Sequence, residues 1–246
     1  MTTLNTDTLL EAKGLAAWYG AAQILFDVDL QVRRGEVVAL MGRNGAGKST
    51  TLKALIGMLA RRRGDIRFMG HDLSRSEPHH AARLGLGFVP EDRRIFTDLT
   101  VMENLEVGRQ PPRHWPDGSQ APSWSPERLF KLFPNLGEMP QRLGGRMSGG
   151  EQQMLTLCRT LMGDPELIII DEPTEGLAPK IVEQVGMFLG TLKARGVSVL
   201  LIEQKLTIAM KISDRALVMG HGSIVFEGTP EELNANTYIR KEWLEV

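Results

Sequence analysis

Gly42-Arg43-Asn44-Gly45-Ala46-Gly47-Lys48-Ser49 restricts what this chain can fold into more than any other segment. It fits the spacing G-x-x-x-x-G-K-[ST], and its flanks match the context that spacing needs. Before it, Val37, Val38, Ala39, Leu40 and Met41 form a continuous apolar run, the pattern of a strand buried on both faces. After it, Leu52, Leu55, Ile56 and Leu59 recur at helical spacing. In a strand–loop–helix unit of this kind the glycines let successive backbone NH groups point inward, and the helix N-terminus adds a positive dipole end. Such a loop cradles nucleotide phosphates. Gly42, Asn44, Gly45, Gly47, Lys48, Ser49 and Thr50 are therefore the candidate phosphate-binding residues. Lys48 is expected to reach the β- and γ-phosphates, and Ser49 to offer its hydroxyl to Mg²⁺.

The remaining periodicities predict an α/β fold. Val28, Leu30 and Val32 alternate with polar residues, as in a half-exposed antiparallel strand. Leu167 to Ile170 and Val197 to Ile202 read as two more buried strands. Ile181, Val182, Val185, Phe188, Leu189 and Leu192 share one helical stripe between Pro179 and Gly196. Alternation of strands and helices predicts a mainly parallel sheet flanked by helices. Residues 109–126 hold several prolines, Trp115 and Trp124 without periodicity, and read as a surface loop inside a helical lobe over residues 87–161. Residues 1–86 and 162–246 would then form the core of a single domain. Gly220-His221-Gly222 between two apolar runs signals a hairpin.

Composition removes several function classes. With 29 basic and 30 acidic residues, the chain has no whole-protein basic field of the kind nucleic acid demands. Arg61-Arg62-Arg63, before Gly64, reads as a solvated turn. The single cysteine, Cys158, has no internal disulfide partner and sits among leucines of a packed helix. The segment Met1 to Leu10 lacks a basic region followed by an apolar stretch, and no apolar run approaches the roughly 20 residues of a membrane helix. A soluble, cytoplasmic chain is the expectation.

Asp171 and Glu172 follow the strand over 167–170, and ligands of open parallel sheets bind beyond strand carboxyl ends. Asp171 suits Mg²⁺; Glu172 suits a general base that activates water against the γ-phosphate; both also suit plain helix capping. Ser148-Gly149-Gly150-Glu151-Gln152-Gln153, about twenty residues earlier, is a second candidate anion site at a helix start. With Asp171-Glu172-Pro173, this segment resembles the signature of ATP-binding cassette proteins, and the resemblance extends over nearly the whole chain.

The resemblance implies a phosphate-loop cassette with an N-terminal antiparallel β subdomain, a mainly parallel sheet and an inserted helical lobe. It implies ATP and Mg²⁺ as ligands, with Ser148, Gly149 and Gly150 completing the ATP pocket of an opposing cassette. Tyr19 looks like the aromatic that stacks on adenine, although a strand-core role is open for it and for Trp18. Two positions depart from the family pattern. Glu91 stands where a glutamine that approaches Mg²⁺ is usual, and Gln204 stands where a histidine contacts the γ-phosphate. Those substitutions, Arg93-Arg94-Ile95-Phe96, and Glu175 before Gly176-Leu177 are similar to the second ATPase subunit of branched-chain amino acid importers and their relatives. That kinship implies two permease chains, a second cassette (a different chain or a second copy), an external substrate-binding protein, and a place on the inner face of the membrane. Arg94, Ile95, Phe96, Leu99 and Val101 are candidates either for a groove that takes a permease helix or for the lobe's own core. An exporter ATPase for lipid or lipopolysaccharide is an alternative. A DNA-repair or translation cassette fits less well, because no long coiled-coil insertion or tandem cassette is present.

Overall fold

The computed structural model describes residues 7–112, 114, 118–120 and 123–245. The chain starts with two long antiparallel strands, β1 (Thr8–Tyr19) and β2 (Ala22–Arg33), and then enters β3 (Val37–Met41), buried at every position. The phosphate loop leads into α1 (Lys48–Leu55). That helix is shorter than its apolar spacing predicts. Gly57, at φ +83° and with no room for a Cβ beside the Ser76 carbonyl, turns the chain, so Ile56 and Leu59 are buried from beyond the helix.

β4 (Arg62–Phe68) and β5 (His71–Asp72) return to the first sheet, whose strand order is β2-β1-β4-β5. The basic run is therefore not a turn. Arg62 and Arg63 pair with Ala17 and Ala16 across β1, and the Arg62 guanidinium donates to the Leu59, Leu73 and Ser76 carbonyls. After α2 (Pro78–Leu84) comes β6 (Leu86–Val89), which pairs in parallel with a later strand of the main sheet. Gly87, Phe88 and Val89 thus belong to the sheet, and the helical lobe starts after them rather than at residue 87. Four apolar or small residues in a row are too few to reveal a strand against a helix start.

The lobe holds α3 (Val101–Gly108), α4 (Pro126–Leu132), α5 (Pro134–Gly137) and α6 (Gly149–Leu161). Thr100 caps α3 and Ser148 caps α6, each with a glutamate three residues on that reaches back to the cap amide. Trp124 departs from the expected surface loop: it is buried in the lobe's core, its amide donates to Asp164 at 2.7 Å, and Arg195 lies over its ring. Sequence periodicity cannot register a lone anchoring residue. Trp115 lies outside the described residues.

The chain then builds β7 (Leu167–Asp171), α7 (Pro179–Ala194), β8 (Ser198–Ile202), α8 (Leu206–Ile212), β9 (Arg215–Gly220), β10 (Ser223–Gly228), α9 (Pro230–Ala235) and α10 (Thr237–Trp243). The main sheet runs β10-β9-β3-β8-β7-β6 and is parallel except for the β9–β10 hairpin, whose His221 and Gly222 both take positive φ. Alternate residues of β3 divide its faces. Val38 and Leu40 join α1 and the antiparallel sheet in one core; Val37 joins α6, α7 and the lobe in a second; Ala39 and Met41 join α8, α9 and α10 in a third. At ~25 cal/mol per Å² of apolar area removed from water, these layers hold the phosphate loop between two packed sheets. Cys158 is buried in the second core, and desolvation pushes its thiol far up, so it packs as an apolar group. Among the described residues no helix is long and apolar enough to cross a membrane.

Candidate nucleotide site

β3 ends at Gly42, whose φ of +148° and closeness to the Met219 carbonyl, 2.5 Å from where a Cβ would stand, admit only glycine. The loop then curls through Gly45 and Gly47, both at positive φ, and Gly47 caps α1. Lys48 is 4% exposed. Its ammonium donates to the carbonyls of Gly42 at 2.9 Å and Arg43 at 3.2 Å, and stands 3.5 Å from a Glu172 carboxylate oxygen. A phosphate that takes up Lys48 must therefore compete with Glu172.

β7 delivers the acidic pair. Ser49 Oγ donates to Asp171 Oδ1 at 3.2 Å across the gap between α1 and β7. Burial pushes the Asp171 carboxyl up to about 6, with the Ser49 hydrogen bond pulling against it and the Glu172 and Glu91 charges adding to the rise. Two oxygen donors beside a phosphate cradle fit Mg²⁺, which keeps several waters and takes few protein ligands. A carboxylate that desolvation holds near 6 is one that a cation would relieve.

Glu172 has φ +46°, a left-handed backbone that costs about 1 kcal/mol in a non-glycine residue and turns its carboxylate toward Lys48. Burial alone would raise its pKa. Hydrogen bonds with Glu175 and Gln204 and the Lys48 charge outweigh that and hold Glu172 below the ordinary carboxylate range, ionised as a base must be. Gln204 follows β8, and its amide donates to Glu172 Oε2 at 2.6 Å and Asn44 Oδ1 at 2.7 Å. The position read as a departure from histidine is thus the link between the phosphate loop and the acidic pair.

Asn44, Gly45, Gly47, Lys48, Ser49, Glu172 and Gln204 line one cleft of about 460 Å³ together with Tyr19, Thr50, Glu91 and Glu175, and Asp171 lies behind Ser49. Tyr19 ends β1 with about half its surface exposed to that cleft, as a stacking ring requires, whereas Trp18 points to the opposite side under the Arg61 guanidinium. Of the two neighbours, only Tyr19 lines the cleft.

Ser148, Gly149 and Gly150 do not line this cleft. They form the N-terminus of α6, where the Ser148 hydroxyl accepts from the Glu151 amide. A Cβ on Gly150 would meet Ile181 at 2.9 Å, so close packing explains that glycine, whereas one on Gly149 would meet only the movable Arg93 guanidinium at 3.0 Å. Their amides cannot serve the nucleotide of their own phosphate loop.

Ile24 and Glu175 line the cleft without having been site candidates, and Glu203 supports it from behind. Glu175, one turn after Glu172, faces it across the cleft, and the shared hydrogen bond lifts the Glu175 carboxyl to about 7. Glu203 is 2% exposed; it accepts from Thr174 Oγ1 at 2.7 Å and the Lys205 amide at 2.9 Å, tying the loop after β7 to the loop after β8. An acidic residue directly after an apolar strand was the available signal for Glu203, but it equally marks a solvent-facing strand end.

A second, apolar cavity of about 480 Å³ lies between α2 and the lobe. Arg94 and Phe96 line it with Met58, Phe88 and Val107, while Ile95 packs into the lobe and Val101 is wholly buried there. Of the five residues considered for a groove, two line it and two join the core, while Leu99, half-buried, belongs to neither.

A glycine loop at a strand's carboxyl end, an ionised carboxylate beside its lysine, and an oxygen pair suited to Mg²⁺ define an ATPase cassette of the phosphate-loop class. Residues 25–175 match the family model described as ABC transporter, and the chain belongs to that family as an ATP-hydrolysing subunit. The high-affinity branched-chain amino acid transport ATP-binding protein BraG of Pseudomonas aeruginosa is 39% identical over 236 residues, covering 96% of this chain and 99% of that protein. The lipopolysaccharide export system ATP-binding protein LptB of Haemophilus influenzae is 31% identical over 239 residues, covering 96% and 97%. A solved structure of an ATP binding subunit of an ABC transporter superposes with a TM-score of 0.78 at 31% identity, over 96% of each chain.

Proposed function

We propose that this cassette energises uptake of branched-chain amino acids, or of related small amino acids and amides, through separate membrane-spanning permease chains. The observation that carries this reading is the cleft built on Lys48, Glu172 and Gln204, in a chain 39% identical to a relative named for branched-chain amino acid transport. Of the branch-marking residues, Glu91, Gln204 and Glu175 line that cleft, while Arg94 and Phe96 line the apolar cavity.

In this reading Tyr19 stacks on adenine, while the amides of Asn44, Gly45, Gly47, Ser49 and Thr50 surround the phosphates. Ser49 and Asp171, with Glu91 at the rim, hold Mg²⁺, which when bound neutralises charge on the phosphate oxygens. Glu172 takes a proton from the attacking water as its oxygen bonds to the γ-phosphorus, and ADP leaves with the bridging oxygen. Lys48 offsets the charge that develops, and Gln204 orients Glu172 by its 2.6 Å hydrogen bond. Ser148, Gly149 and Gly150 face the ATP of an opposing cassette, a different chain or a second copy, in a head-to-tail pair. The apolar groove at Phe96 and Val107 receives a permease helix, and an external substrate-binding protein delivers the cargo. The cassette then sits in the cytoplasm on the inner face of the membrane, without nucleic acid as a partner. The chain is one ATPase domain whose lobe carries the groove and the second anion site.

The identity of 31% to a lipopolysaccharide export ATPase supports export as a second reading. Affinity purification from gently solubilised membranes, with mass spectrometry of what accompanies the chain, separates the two. Two helix-rich permeases, a second cassette and a co-encoded binding protein are the expected outcome. Permeases accompanied by lipopolysaccharide-handling components favour export, and ribosomes or nucleic acid in their place refute transport.

A further inference from the structure

Arg43 stands inside the phosphate loop but turns its side chain away from the cleft. Its guanidinium donates to the carbonyl of Lys241 at 3.0 Å, in the last turn of α10, and to that of Glu245, two residues beyond the helix. The Lys241 carbonyl is one of those a helix leaves without an internal partner, at the negative end of its dipole. The main chain of the same residue faces inward, where the Arg43 carbonyl accepts from Lys48 Nζ at 3.2 Å and from the Ala46 amide at 3.1 Å. One residue therefore joins the end of the chain to the lysine of the phosphate loop.

α10 is itself anchored. Ile239, Trp243 and Leu244 pack into the core formed with Met41 and Val218, next to the strand that feeds the loop. The Trp243 ring lies on Gly220, so closely that a Cβ there would meet it at 2.4 Å, and meets His221 edge-on at 5.2 Å. The β9–β10 hairpin that carries Gly220 and His221 also touches the loop, through Gly222 N to the Ala46 carbonyl at 2.9 Å. The loop is gripped from outside at Arg43 and at Ala46 by parts that Trp243 presses together.

We propose that Arg43 and α10 form a brace that holds the phosphate loop in its ATP-binding shape, with Arg43 and Trp243 as positioning residues that act through Lys48. The inference goes beyond the cargo and partner reading; it rests only on ATP binding at the phosphate loop. A loop held in shape loses less conformational freedom when it binds, so releasing the brace weakens ATP without changing the chemistry at Glu172.

The test uses the full-length chain, a fluorescent ATP analogue with Mg²⁺, steady-state ATPase and thermal melting. Arg43→Ala and Trp243→Ala should each raise Kd and KM by roughly tenfold, the effect of losing one charge-assisted contact, with kcat within about twofold. The double variant should bind no more weakly than the weaker single one, because both cut the same link. Arg43→Lys and Trp243→Phe should recover most of the affinity. Unchanged Kd in Arg43→Ala overturns the brace. So does a Trp243→Ala variant that melts earlier yet binds normally, which would make the helix mere structure, or additive losses in the double variant, which would put Arg43 on the nucleotide directly. Lys48→Ala should abolish binding; binding that survives it overturns the ATP site itself, a failure separate from those of the brace.

Discussion

Replacing Glu172 by glutamine should leave the cassette able to hold ATP, indeed slightly better, while removing its turnover. The amide keeps the shape and can still accept from Gln204, so the local backbone at φ +46° has no reason to change. What disappears is the charge 3.5 Å from Lys48, a residue only 4% exposed. For a pair this buried, desolvation of both charges cancels most of the Coulomb gain, so with the loop carbonyls that Lys48 also meets its net contribution is about 1 kcal/mol, and that share no longer competes with the γ-phosphate. ATP should accordingly bind about fivefold tighter. Loss of a general base lowers the chemical step by roughly 10²- to 10⁴-fold. Equilibrium titration with a fluorescent ATP analogue and single-turnover hydrolysis read the two effects separately. Hydrolysis that persists near the wild-type rate removes Glu172 from the role of base. Weaker ATP binding refutes the competition between carboxylate and phosphate for Lys48.

Gln204→His should raise ATP turnover of the assembled transporter if the second cassette retains histidine, because a cationic donor at this position would strengthen as charge develops on the γ-phosphate; unchanged or lower turnover counts against unequal sites. The pH dependence of stability offers an independent check. Glu175, lifted from an ordinary 4.5 to about 7, and Asp171, lifted from 3.8 to about 6, bind their protons more tightly in the folded chain than in the unfolded one. Stability from both is present below the unfolded values and is lost as pH rises through the folded ones. Without nucleotide or Mg²⁺, the melting temperature should therefore fall between about pH 4 and 7, and Glu175→Gln should flatten that fall in part, leaving the share of Asp171. Identical pH profiles for the two proteins would contradict the shared proton at Glu172 and Glu175.

Much of this protein was settled by local pattern. The run Val37–Met41, the glycine spacing and Lys48 already imply a buried strand, a phosphate loop and a helix, because each feature expresses a constraint acting within a few residues. The hairpin at Gly220 to Gly222 and the stripe of α7 were legible for the same reason. Where tertiary contacts decide, the sequence was silent or misleading. Arg62 and Arg63 form a strand because β1 offers them partners, Gly87 to Val89 form the sheet's edge because β7 does, and Trp124 is buried because the lobe closes over it. The site divides along the same line. Which residues are candidates for phosphate chemistry could be read from their types and spacing. Only the packed sheets show that Gln204 reaches both Asn44 and Glu172, 160 and 32 residues away, that Glu175 stands beside Glu172 in the same cleft, and that the segment at α10 grips Arg43. Contacts across such separations leave no periodicity in a sequence, since they arise from where the β-sheet places strand ends and not from what lies next to them along the chain.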